Sequence, residues 1–109
     1  MAYDEVLADR IRDHIASNLN VVEKKMFGGV AFMNQGNMAV GVSNDELMVR
    51  VGLDGYERAI ADPGVRDFDM TGKRMKGWVL VGPQTIADDS DLNDWIDVGM
   101  DFAASLPPK

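Results

Sequence analysis

Six basic residues could gather around a bare stretch of main chain: Lys24, Lys25, Arg50, Lys73, Arg74 and Lys76, near Gly28-Gly29. Their chemistry would be the binding of an anion, because glycine lets a ligand come close to the backbone. The pair is not a phosphate loop. It lacks the spaced glycines and the Lys-Ser/Thr that such loops use. A single histidine, His14, could carry a proton, but no Ser or Cys partner is in view. It reads instead as a partly buried helix histidine. Asp94, Asp97 and Asp101 recur at three- and four-residue spacing, so they share one helix face and invite a metal. No His or Glu joins them, and a run of acids on a helix is usually solvated. No residue set amounts to a catalytic site, so neither catalysis nor a cofactor is assigned.

The elements that must position these residues begin with an amphipathic helix over residues 3–19. Tyr3, Leu7, Ile11, Ile15 and Leu19 recur at helical spacing. Strand one runs from about Lys25 to Asn34. Its apolar content on both faces suggests cover on both, and its Gly-Gly pair suggests a bulge, or a gap where a ligand or partner approaches. Asn34-Gln35-Gly36-Asn37 is a hairpin turn. Strand two covers 37–42 and strand three covers 46–51. In the latter, Leu47, Val49 and Val51 alternate with Met48 and Arg50. A short helix at 54–61, capped by Asp54, stops at Pro63-Gly64. Residues 65–73 read as loop, anchored by Phe68 and Met70. Strand four spans 75–81, and a last helix spans about 90–105. The order α-β-β-β-α-β(-β)-α predicts an α+β fold with two layers and a curved antiparallel sheet.

The bulk numbers bound the function. A chain of 109 residues reads as one domain, 1–109, able to bury a core without metals or disulfides. Cysteine is absent, which fits a reducing compartment. The acidic start lacks the basic and apolar blocks of a secretory signal, and no apolar run spans a membrane. The expectation is a cytoplasmic location without membrane contact. Net charge is −7. Residues 1–23 carry −3, residues 24–76 carry +1 and residues 77–109 carry −5. An acidic chain is poorly suited to neutralising phosphates, so direct nucleic-acid binding is not expected.

Lys24-Lys25-Met26-Phe27-Gly28-Gly29, Gly36-Asn37-Met38-Ala39 and Leu47-Met48-Val49-Arg50-Val51 resemble the N-terminal domain of the TfoX/Sxy family. So do Met75-Lys76-Gly77-Trp78-Val79 and the closing Ser105-Leu106-Pro107-Pro108-Lys109. The resemblance covers almost the whole chain. It implies a two-layer α+β domain similar to secretion-chaperone-like folds. Full-length members resemble two-domain regulators of natural competence that act beside a transcription factor. The resemblance carries no catalytic residues.

With helices on one side of the sheet, the other side would show Met48, Arg50, Lys76, Trp78 and Leu80, with Ala39 and Gly41 between. Met adapts to uneven surfaces, and Trp and Arg dominate many interfaces. The reading is a non-enzymatic interaction or regulatory module that engages a protein partner and self-associates as a homodimer. Its candidate binding residues are Lys24, Lys25, Phe27, Gly28, Gly29, Met48, Arg50, Lys76 and Trp78. The alternative is a small-molecule or anion binder, or an enzyme, using the basic cluster around Gly28-Gly29.

Overall fold

A computed structural model describes residues 3–18, 20–26, 29–70 and 73–108. The element order is α1 (Glu5–His14), β1 (Val21–Met26), β2 (Gly29–Asn34), β3 (Asn37–Ser43) and β4 (Glu46–Arg50). It continues with α2 (Gly52–Ile60), β5 (Val65–Met70), β6 (Lys73–Val81) and α3 (Asp89–Ala104). All six strands form one open antiparallel sheet in the order β1-β2-β3-β4-β6-β5.

The strand expected over 25–34 is two strands. Met26 pairs with Gly29 in an antiparallel ladder, so β1 is a separate edge strand beside β2. Phe27 and Gly28 lie outside the described residues. The apolar run that suggested one long strand belongs to β2 alone, while Val21-Val22 opens β1 four residues before the expected start. The loop expected over 65–73 is also corrected. Residues 65–70 form β5, paired with β6. Asp67 and Asp69 hide the strand pattern in the sequence, and an edge strand tolerates such charges.

The β2–β3 turn is as expected. Gln35 and Gly36 both have positive φ, at 54° and 85°. A tight two-residue hairpin requires this of both central residues. Asp4 caps α1, its carboxylate accepting from the amide of Val6 at 2.9 Å and from that of Leu7 at 3.2 Å. Such a cap satisfies amides that have no partner within the helix. Asp54 does not cap α2. That helix starts two residues earlier, with Val51 at the cap position and Asp54 inside the first turn.

All three helices pack on one face of the sheet and close a single apolar core. Val40, Val49 and Val79 lie side by side across β3, β4 and β6 and are fully buried beneath them. Leu7, Ile11, Ile96 and Leu92 meet them from the helices. The closest approach is at Gly99. A Cβ there would stand 2.5 Å from the Ala39 carbonyl oxygen and 2.6 Å from Val40 Cγ1. Ala39 therefore belongs to the helix-side core, at 0% exposure, and not to the opposite face expected for it. The cause is a bulge. Phe32 pairs with Val40 but Met33 with Met38, which leaves Ala39 as the extra residue and flips the alternation.

Two buried asparagines tie the hairpin to α3. Asn34 Nδ2 donates to the Met100 carbonyl at 3.2 Å, and Asn37 Nδ2 donates to the Pro107 carbonyl at 3.0 Å. Met100 lies in the closing part of α3 and Pro107 just beyond it, so these two bonds fasten the hairpin to that end of the helix. Among the described residues, no helix is long and apolar enough to cross a membrane.

Candidate functional site

The candidate residues fall into two groups that the sheet keeps apart. Lys24, Lys25 and Gly29 sit on β1 and its hairpin partner β2. Met48 and Arg50 sit on β4, and Trp78 sits beside them on β6. β1 and β4 are three steps apart in the strand order. At the usual spacing between neighbouring strands that is about 14 Å. Arg50 also lies at the opposite end of the sheet from Gly29, because Gly29 opens β2 whereas Arg50 closes β4 beside the β2–β3 turn. Alternation separates even the two lysines. Lys25 pairs with Val30 on the helix side and Lys24 with Ala31 on the other. The backbones of Lys73, Arg74 and Lys76 lie in β6, and their side chains are outside what the structure describes.

The first group is an exposed edge. Among the described residues β1 pairs with β2 alone, which leaves one row of its backbone N–H and C=O groups without a strand partner there. Lys24 and Lys25 are exposed, and Val22 is 57% exposed. Glu23 holds the strand in place. Arg12 of α1 donates to its carboxylate from Nε at 2.6 Å and from Nη2 at 2.8 Å. Arg12 also donates to Asp9 at 2.6 Å. The hydrogen bond from Arg12 holds the Glu23 carboxyl below its ordinary range, aided by the charges of Arg12 and Lys25, while burial opposes this. The Arg12 guanidinium is raised correspondingly, chiefly by the same bond.

The second group covers the sheet face that the helices leave alone. It is filled more tightly than the sequence suggested. Met48 is 4% exposed and Leu80 is 5% exposed, so neither offers the open surface expected of it. Gly41 explains part of this. Its missing side chain leaves room for the Met48 and Met38 methyls, which would stand 2.6 and 3.2 Å from a Cβ at that position. Trp78 is half-buried, with its ring 6.3 Å from that of Phe68. The Arg50 guanidinium lies 5.4 Å from the ring centroids of both Trp78 and Phe102. Two aromatic rings thus hold Arg50 in place, and its role there is cohesive.

The acids and the histidine are placed apart from both groups. His14 Nε2 is 2.8 Å from Asp97 Oδ1, a contact that joins α1 to α3. Asp94, one turn before Asp97 on α3, borders a groove facing α2. Among the described residues, no three His, Cys, Asp or Glu side chains come together as a metal cage. Sequence reasoning missed Val22 and Glu23 as parts of the exposed edge. The available signal was Val21-Val22, a β-branched pair directly before Glu23 and the lysines.

An open antiparallel sheet with helices on one face defines a two-layer α+β domain, and the basic strand β1 lies at one of its edges. The TfoX N-terminal domain model matches residues 13–103, and the chain belongs to that family. No curated protein and no solved structure matches it.

Proposed function

We propose that this domain is a non-enzymatic protein-interaction module that captures an extended segment of a partner along β1. The observation that carries the reading is the exposed edge of β1, with Lys24 and Lys25 projecting to opposite sides of a strand paired on one side only. An added strand gains main-chain hydrogen bonds, and side chains opposite the lysines set its specificity. Acidic residues in the partner segment suit both lysines.

The homodimer expected from the sequence fits this edge less well. Antiparallel self-pairing centred on Lys24 sets Lys24 against its own copy, and centring on Glu23 sets Glu23 against Glu23. Like charges directly opposite each other destabilise a strand pair. Edge lysines are a common means of preventing self-association. A regulatory role in transcription or competence, which the family resemblance implies for longer members, would operate through such a partner.

The test is affinity capture from native lysate with the wild type and with Lys24→Glu/Lys25→Glu, after circular dichroism shows that the variant folds. Loss of the captured partner with folding intact is the expected result. Retention of the same partners by the double variant removes β1 as the site.

A further inference from the structure

A groove runs between α2 and α3, on helices that pack chiefly on β3 to β6. Its volume is about 390 Å³, within the range that accepts a bulky apolar group. Val51, Ala59, Trp95 and Val98 line it. Val51 and Ala59 are almost fully buried, while Trp95 is half-buried and Val98 is 43% exposed. The floor is therefore closed and apolar, and the α3 wall is open to solvent.

The rim is acidic. Arg58 and Asp62 border the groove from the α2 side and Asp94 from α3. Asp91 and Asp101 are three residues before and seven after Asp94, on the same side of α3. At the rise of an α-helix the three carboxylates form a row about 15 Å long. All three are exposed, and none enters an ion pair among the described residues.

We propose that this groove docks a basic amphipathic helix of a partner protein. One apolar side chain of that helix enters beside Trp95 and Val98, and its Lys or Arg side chains meet Asp91, Asp94 and Asp101. Charge complementarity selects this occupant. A second copy of the chain would bring one acidic row against another, with Arg58 as the one cation from each side among the described residues that line the groove. A small amine would satisfy one carboxylate and leave the rest of the row unused. Amphipathic helices bind apolar grooves through anchors at helical spacing, and flanking charges set partner choice and encounter rate. This site is separate from the β1 edge, so reversing charge at Lys24 and Lys25 leaves it intact. Failure of one reading is thereby distinguishable from failure of the other.

The test uses the full chain, labelled with nitrogen-15, and a short synthetic peptide of Leu and Lys patterned as an amphipathic helix. Two controls accompany it: the same peptide with every Lys replaced by Glu, and a scrambled peptide of identical composition. The patterned basic peptide is expected to shift the Trp95 indole N–H saturably and to leave that of Trp78 in place. Binding weakens with added salt. Asp94→Asn/Asp101→Asn, folded by circular dichroism, is expected to raise Kd about tenfold, because exposed charge pairs are individually weak and two are lost. Equal shifts with the scrambled peptide overturn the proposal, as do shifts centred on Trp78. Binding of phenethylammonium without binding of the peptide also overturns it. So does a dimer in light scattering that Val98→Glu converts to monomer.

Discussion

Alanine at position 99 should weaken the protein although alanine is the better helix former. The local term favours the change by about 1 kcal/mol, since Gly in a helix interior loses more backbone entropy. The tertiary term opposes it. The new Cβ would lie 2.5 Å from the Ala39 carbonyl oxygen, 2.6 Å from Val40 Cγ1 and 3.1 Å from the Ala39 carbonyl carbon. Ordinary contact begins near 3.4 Å. The Ala39 carbonyl is backbone and the Val40 side chain is β-branched and fully buried, so neither yields readily and α3 must withdraw by roughly 0.9 Å, a gap that forfeits a quarter to a half of each dispersion contact it opens. The same helix buries Leu92, Ile96, Met100 and Ala103 against the sheet, and all of them share the retreat. Overpacking of this kind costs about 1–3 kcal/mol. At the middle of that range the net loss is about 1 kcal/mol, or roughly 4–8 °C in Tm for a small domain.

Gly55→Ala is the matched control. Its Cβ would meet only Val51 Cβ, at 3.5 Å, in the middle of α2. With the same chemistry and no clash, the propensity term stands alone, and the variant should gain up to about 1 kcal/mol. Urea titration of both variants beside the wild type measures the difference, with an unchanged m-value confirming that the transition remains comparable. A Gly99→Ala protein as stable as the wild type would refute the claim that α3 rests directly on β3. Equal gains at both positions would do so more strongly.

Asn34→Ala and Asn37→Ala should each lower stability by about 1–3 kcal/mol. Each removes a side-chain hydrogen bond from the β2–β3 hairpin to the closing part of α3 or to the residues just after it. Thermal melts measure the loss, and amide exchange should rise first at residues 100–106. The Arg12–Glu23 pair should matter least in acid. The folded state holds Glu23 ionised below its ordinary value of 4.5. Its contribution is therefore complete above that pH and fades as pH falls through the lowered value. The pair is more than a third exposed, so its worth at neutral pH is about 0.2–1 kcal/mol after solvent screening. The stability difference between wild type and Glu23→Gln should shrink towards zero below pH 4.5, and a difference that grows in acid would contradict the assignment. Arg50→Met should cost about 1 kcal/mol in urea, and Arg50→Lys should recover part of it. The loss comes from the contacts of Arg50 with two aromatic rings.

The sequence makes the meander from Gly29 to Arg50 readable because turn chemistry and alternation agree there. Gln35-Gly36 demands a tight hairpin, and Leu47, Val49 and Val51 all face one way. The outer strands are harder to read. β1 carries Glu23, Lys24 and Lys25 in succession, and β5 alternates Asp67 and Asp69 with Phe68, so neither presents a clean apolar face. Edge strands avoid such faces because one would invite aggregation. The charges that conceal them in sequence also discourage self-association in the fold. The misplacement of Ala39 has another cause. One extra residue reverses the sides of the residues between the bulge and the turn, and the bulge at Phe32/Met33 leaves no mark in composition. Asn34 and Asn37 read as turn residues, which they are, but their second role depends on α3 arriving more than sixty residues later.

The two proposed surfaces differ in charge and in the form of occupant each accepts. β1 presents lysines to an extended segment, and the α2–α3 groove presents carboxylates to a helix. A single partner segment cannot satisfy both, since the basic helix that suits Asp94 would be repelled by Lys24. The surfaces also rest on separate supports. β1 is held by β2 and by Arg12 of α1, whereas the groove is built from α2 and α3. Substitutions at well-separated sites with no shared partners add within about 0.3–0.5 kcal/mol. Lys24→Glu and Asp94→Asn should therefore act independently on the two binding reactions, each leaving the other Kd unchanged. A shift in peptide affinity at the groove on reversal of Lys24 would mean that one ligand spans both surfaces, and the reading of two independent docking sites would fail.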